Sequence, residues 1–246
     1  EMCIRDSFEA MKLDPVTKPI YTQMVDASGS PIICHNVWIS YFTGGRDKMG
    51  EGYGKLTAGY GSRGVPSELG EKIGPEFTFG IYAQKALNEP ILIIKTAWGG
   101  KSIHTDFRPP SAGPYVFNEG ELENFRRRGK DLREVKAEKA EQTGKFYGLM
   151  MDHVRKVLSD VKRVYPGYNE EKGYELAGFV WFQGWNDMVA SGTYPNRGQP
   201  GGYDAYTDCL AHFIRDVRKD LEAPKMKFVI GVMGVGGPLE QYASQR

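Results

Sequence analysis

The 246 residues are 40% hydrophobic and 12% aromatic, enough to bury one large core, so we expect a single main domain. The charges balance, with 32 Lys and Arg against 31 Asp and Glu, which excludes the basic excess of proteins that bind nucleic acid or acidic membranes. No run of about 18 apolar residues predicts a membrane span, and the scattered Cys3, Cys34 and Cys209 predict free thiols rather than disulfides or a metal site.

The first 60 residues predict hairpins or an extended cap rather than helices. Short β-like runs such as "PIICHNVWISYF" alternate there with glycine-rich turns. Residues 1–19 look like a foreign or disordered segment, and we expect the main domain to span 20–246. We also expect the chain to be a fragment that is incomplete at both ends.

From Gly74 onward, helices and strands alternate. Pro75 and Glu76 favour a helix start, and the strands that follow are nearly continuous apolar runs. In chain order the predicted elements are a helix at 74–88, a strand at 90–98, a charged helical stretch at 121–142, a helix at 145–162, a strand at 176–182, a helix at 203–221 and a strand at 226–234. This order predicts an α/β domain, a three-layer sandwich around a mostly parallel sheet. For 121–142 a solvated face with intrahelical ion pairs is favoured over a binding role.

Three loops follow directly after predicted strands: 98–106, 183–192 and 235–238. In open α/β folds, ligands bind in the crevice at the carboxyl ends of the strands. Gln183, Asn186 and Asp187 would therefore be held by a rigid strand and project into a cleft.

The sequence "GGKS" resembles the end of a phosphate-binding P-loop, but Lys95 stands where that pattern requires a glycine. A nucleotide site is therefore not expected. Gly99 and Gly100 instead offer backbone N–H groups suited to an oxyanion, although a glycine pair after a strand is also typical of a plain tight turn.

Three stretches resemble the SGNH hydrolase superfamily, in particular its sialate O-acetylesterase-like group, which is related to carbohydrate esterase family six. They are "GPEFTFG" (74–80), "ILIIKTAWGGKSI" (91–103) with "DFRPPS" (106–111), and "AGFVWFQGWNDM" (177–188). The resemblance implies an SGNH or flavodoxin-like fold and a serine esterase that removes O-acetyl groups from carbohydrate through an acetyl-serine. It implies no metal or organic cofactor.

The resemblance also implies an oxyanion hole. Gly99 or Gly100 matches its glycine donor, and Gln183 matches its side-chain amide, with Asn186 as the alternative. The residues expected to contact substrate are Trp98, Lys101, Ser102, His104, Trp185 and Asp187.

The sequence departs from the family pattern at the nucleophile and the base. The Gly-Gln-Ser-Asn block is absent, and Ser7 in "CIRDS" has no preceding strand to present it. No Asp-x-x-His follows the 226–234 strand. His153 and His212 are expected within helices, in packing or surface positions, and His35 lies in an early β-like run. We therefore expect no esterase turnover from this chain as printed.

Two other classes of function stay open at this point. A non-catalytic carbohydrate-binding module on the same fold would stack Trp98, Trp185 and Tyr194 on sugar rings. A structural or interaction domain would explain the aromatic residues but not the polar loops. The partner implied is an acetylated carbohydrate, not nucleic acid or membrane. The oligomeric state is not predicted, and the resemblance favours a periplasmic or secreted protein.

Overall fold

The computed structural model describes residues 11–44, 48–61, 65–70 and 72–233, which fall into two compact units. The first unit comprises Glu1–Gly99 and Asp152–Lys172, and the second comprises Gly100–Met151 and Gly173–Arg246. Ser7 and the 235–238 loop lie outside the described residues.

The first unit is built around a mixed three-stranded sheet. Its elements are α1 (Lys18–Met24), β1 (Val37–Gly44), β2 (Met49–Lys55), α2 (Pro75–Leu87), β3 (Ile91–Thr96), the second half of α5 (Lys145–Ser159) and the short α6 (Val161–Val164). The strand order is β2-β1-β3, in which β1 pairs antiparallel with β2 and parallel with β3. Val37, Ile39 and Tyr41 alternate along β1 and are fully buried, so this central strand carries the core of the unit.

The second unit combines helices with a two-stranded parallel sheet. Its elements are a 3₁₀ turn (Pro110–Ala112), α3 (Glu119–Arg127), α4 (Leu132–Gln142), α5 (Lys145–Ser159, which ends in the first unit), β4 (Gly178–Trp181), α7 (Trp185–Val189), α8 (Asp204–Asp220) and β5 (Lys227–Ile230). Strand β4 pairs in parallel with β5. Aromatic rings form the core, with the Trp181 centroid 4.4 Å from Phe213 and 5.5 Å from Phe107.

The α/β class is confirmed, and so is the early hairpin, which is formed by β1 and β2. The mostly parallel three-layer sheet is not confirmed, because the larger sheet is mixed. None of the described helices is long and apolar enough to cross a membrane.

Three predictions about helices were wrong in detail. Helix α1 lies in the region predicted to lack helices, because a seven-residue helix is too short to show a clear apolar period. The 121–142 stretch forms two helices, interrupted where Gly129 adopts a φ of +64° and Asp131 caps α4. The 145–162 helix ends at Ser159, and Asp160 caps the separate α6.

Candidate functional site

A buried carboxylate organises the polar end of β4. Asp187, on α7, is 1% exposed and accepts hydrogen bonds from the backbone N–H groups of Ile103 (2.9 Å) and His104 (3.2 Å). It also accepts from the Tyr194 hydroxyl (2.9 Å) and from Gln183 Nε2 (2.6 Å). Because protein donors occupy both of its oxygens, the carboxylate fixes the loop at 101–106.

Both the nitrogen and the oxygen of the Gln183 carboxamide are hydrogen-bonded to other residues of the protein. Its Nε2 donates to the Lys101 carbonyl (3.1 Å) and to Asp187 Oδ2 (2.6 Å), and its Oε1 accepts from the Tyr206 hydroxyl (3.3 Å). A carboxamide nitrogen carries only two hydrogens, so Gln183 has no N–H left for a ligand in this arrangement.

Asn186 is placed differently. Among the described residues its Nδ2 donates once, to the same Lys101 carbonyl at 3.0 Å. One N–H of its carboxamide therefore remains, and Asn186 lines a cavity of about 390 Å³ that Gln183 does not line.

Gly100 lines that cavity too. It is exposed, with a φ of +73° that favours glycine, and its N–H has no acceptor within the described part of the chain. The structure thus brings together Gly100 and Asn186, two of the four predicted oxyanion donors. Gly99, the third, is the last residue of the first unit's opening segment.

A larger cavity, of about 570 Å³, lies at the opposite ends of β4 and β5 and is lined by residues 174–177 and 221–227. Those residues precede the two strands or begin β5. Because ligand-binding loops in α/β folds follow the carboxyl ends of strands, we take the cavity at Gly100 and Asn186 as the candidate site.

Some of the residues predicted to contact substrate line the candidate cavity, and others do not. Lys101, Ser102 and His104 line the candidate cavity, although Ser102 is only 5% exposed and donates to Asp106. Trp185 is 55% exposed, whereas Trp98 is 8% exposed and meets the edge of Phe42 within the first unit.

Sequence reasoning missed further residues of this cavity, among them Thr105, Asp106 and Lys139. Lys139 belongs to the charged stretch for which a purely solvated role was favoured. Leu132, Val135 and Lys139 are all half-buried at three- and four-residue spacing, so Lys139 shares the inward face of α4. The sequence signal that could have indicated its place in the cavity is a lysine on the apolar stripe of a helix.

Two serine–histidine contacts occur among the described residues, and neither involves the candidate cavity. Ser111 Oγ lies 2.7 Å from His212 Nδ1. Ser40 Oγ lies 2.9 Å from His153 Nε2, but the two residues are 0% and 4% exposed. A nucleophile must reach substrate, so the Ser40 pair is a structural network rather than a catalytic one.

That network fixes which nitrogen of His153 carries a proton. Ser40 donates its single proton to the Glu51 carboxylate at 2.7 Å, so it accepts from His153 Nε2–H. Burial lowers the pKa of His153 to about 4, so the ring is neutral near pH 7. Burial also opposes ionisation of Glu51, but hydrogen bonds from Arg163, Lys156 and Ser40 outweigh it and lower the pKa to about 2.

The pH dependence of stability should report this buried histidine. Its folded pKa, about 4, lies below the ordinary value of 6.5, so the unfolded state binds more protons between those values. The free energy of unfolding should fall by up to about 3 kcal/mol as the pH drops through this window. Urea unfolding at several pH values should show this loss in the wild type and in the exposed-site control His35→Gln. The loss should be absent from His153→Gln, and an equal loss in that variant would contradict the assignment.

No cluster of three or more His, Cys, Asp or Glu side chains suited to a metal ion is present in the described ranges.

A model of the family described as "carbohydrate esterase, sialic acid-specific acetylesterase" matches residues 62–245, which is more than half of the chain. No curated protein and no solved structure matches the chain significantly.

Proposed function

Because the chain belongs to the carbohydrate esterase family of sialic acid-specific acetylesterases, we propose that it forms the oxyanion-binding part of a serine esterase for O-acetylated carbohydrate. The substrates would be acetyl esters of sialic acid or of a polysaccharide. The finer fold that accompanies this proposal is the SGNH three-layer sandwich around a mostly parallel sheet.

The observation that carries the proposal is the pair of available donors at one cavity. The Gly100 N–H has no acceptor among the described residues, and Asn186 retains one N–H. When a serine oxygen attacks the acetyl carbon, the carbonyl oxygen gains negative charge, and fixed N–H groups stabilise it. The intermediate then collapses, the sugar hydroxyl leaves, and water releases acetate from the serine.

The proposed donor is Asn186 rather than Gln183, because both N–H groups of Gln183 are engaged by Lys101 and Asp187. We assign Gln183 and Asp187 to positioning: they hold the loop that carries Gly100 and Lys101. The nucleophile and base would come from Gly-Gln-Ser-Asn and Asp-x-x-His blocks, which this sequence does not contain.

The binding-module alternative is weaker. It requires Trp98, Trp185 and Tyr194 to stack on sugar, but Trp98 is 8% exposed and Tyr194 is 3% exposed. Tyr194 also donates to Asp187. Only Trp185 presents a ring to solvent among these three, which is too little for a stacking platform.

Acetate release tests the proposal. A longer chain that joins this sequence to both blocks, which we call the parent protein, should release acetate from O-acetylated sialic acid, whereas the present chain should show no turnover. Replacing the serine of the Gly-Gln-Ser-Asn block by alanine in the parent protein should abolish release. No release by the parent protein, or release that survives this replacement, would refute the esterase function.

A further inference from the structure

One cation at the candidate cavity has no anionic partner in the part of the chain that the structure describes. Lys139 is half-buried on α4, and its Nζ donates to Thr105 Oγ1 at 3.2 Å and sits 4.3 Å from the centroid of the Tyr115 ring. Within the described ranges no carboxylate lies within ion-pair distance of it. At least one of its three N–H donors therefore remains for a ligand.

The other charges of the cavity are already paired. Lys101 Nζ lies 3.2 Å from Asp106 Oδ1 and 4.1 Å from the centroid of the Phe146 ring. The second oxygen of Asp106 accepts from the backbone N–H and the hydroxyl of Ser102, at 2.9 and 3.0 Å. Among the described residues that line the cavity, the charge left without an ion-pair partner is the positive charge of Lys139.

Burial lowers the pKa of Lys139, although Glu121 and Asp106 oppose this effect. The attraction of the nearby carboxylates is thus weaker than the penalty for desolvating the ammonium group. An anion bound in the cavity would supply the missing stabilisation.

His104 offers a second donor beside the lysine. Thr105 Oγ1 accepts from Lys139, and Thr105 is only 5% exposed, so its own hydroxyl proton needs a protein acceptor. Among the described residues His104 Nδ1, at 2.7 Å, is the acceptor within hydrogen-bond reach, and the proton is assigned to that bond. Burial lowers the pKa of His104, which favours the neutral ring, and with Nδ1 accepting, its proton lies on Nε2. The residue lines the same cavity.

We propose that Lys139, with the Nε2–H of His104, binds a carboxylate carried by the acetylated sugar and so selects acidic sugars. This assignment rests on the proposed function and names the residues that would choose its substrate. A singly charged carboxylate fits better than a phosphate dianion, because Lys139 supplies a single unpaired positive charge among the described residues of the cavity. Acetate, the reaction product, also has a carboxylate group and is therefore the alternative ligand for this site.

Calorimetric binding to the present chain tests the assignment without requiring turnover. The probes are N-acetylneuraminic acid, its uncharged methyl ester and sodium acetate. The wild type should bind the acid about tenfold more tightly than the ester, the size of one charge-assisted hydrogen bond. Lys139→Gln should bind acid and ester alike, and Lys139→Arg should restore part of the preference.

The matched control is Lys136→Gln, an exposed lysine one turn away on α4, which should keep the wild-type preference. Thermal unfolding of each variant shows whether it is folded. Equal binding of acid and ester by the wild type, no binding of either, or an unchanged preference in folded Lys139→Gln would overturn the assignment. Acetate that binds as tightly as the sugar acid would assign the site to product instead and overturn it as well. Failure of the esterase proposal is separate, since it appears as absent acetate release by the parent protein whatever the sugar binding.

Discussion

Asn186→Ala should lower kcat for acetyl-ester hydrolysis by the parent protein about 10²–10³-fold, the usual effect of removing one oxyanion donor. KM should change little, because the donor interacts with charge that develops only in the transition state. The measurement is steady-state release of acetate from O-acetylated sialic acid and of nitrophenol from 4-nitrophenyl acetate. Both esters share the acetyl carbonyl, so both should lose rate by a similar factor.

Two further variants distinguish a side chain that donates to the oxyanion from one that only positions the loop. Asn196→Ala removes an exposed asparagine and should leave kcat unchanged. Gln183→Ala removes bonds to Lys101 and to the buried Asp187, so its loss of rate should come with a loss of unfolding free energy. If Gln183→Ala instead lowers kcat about 10²-fold at full stability while Asn186→Ala does not, Gln183 is the donor and our assignment is wrong.

The sequence predicted the candidate site but not which amide within it has an available N–H. Polar residues directly after apolar strands marked Gln183, Asn186 and Asp187, because the β/α pattern is local. Which amide has an N–H to spare depends on the Lys101 carbonyl, which lies 82 residues from Gln183 in sequence and accepts from both amides. A contact of that separation is set by tertiary packing, which periodicity does not encode.

The helices and strands were likewise predicted well where the sequence pattern that specifies them is local. The bounds of the amphipathic α8 and of the apolar strands β3 and β4 were predicted closely, since each shows its apolar pattern over its own length. The predicted burial of these strands on both faces was wrong, because β3 is half-buried and only Trp181 of β4 is buried. The break at Gly129 was missed because the charged residues on both sides are good helix formers. The position of Lys139 at the cavity was missed because the many charged residues of 121–142 predicted a solvated helix face.

Asp187→Ala should be the most destabilising single change at the site. It removes the acceptor for four hydrogen bonds and leaves the N–H groups of Ile103 and His104 and the hydroxyl of Tyr194 without it. Hydrogen bonds to a buried charge contribute about 1.5–3 kcal/mol each, so we expect a loss of at least about 3 kcal/mol in the free energy of unfolding. Urea unfolding measures it, and Asp208→Ala, on an exposed face of α8, should cost little.

Asp187→Asn sharpens the test, because it keeps the shape and converts one oxygen into an NH₂ group. At the Oδ2 position that group would oppose the N–H of Ile103 and the amide of Gln183, both donors. At the Oδ1 position it meets the Tyr194 hydroxyl, which can rotate to accept, and only the longer 3.2 Å bond from His104 is lost outright. The second orientation should prevail, so hydrogen exchange should accelerate at the His104 amide but stay slow at Ile103. Equal exchange at both amides in this variant would mean that Asp187 does not hold the loop as described.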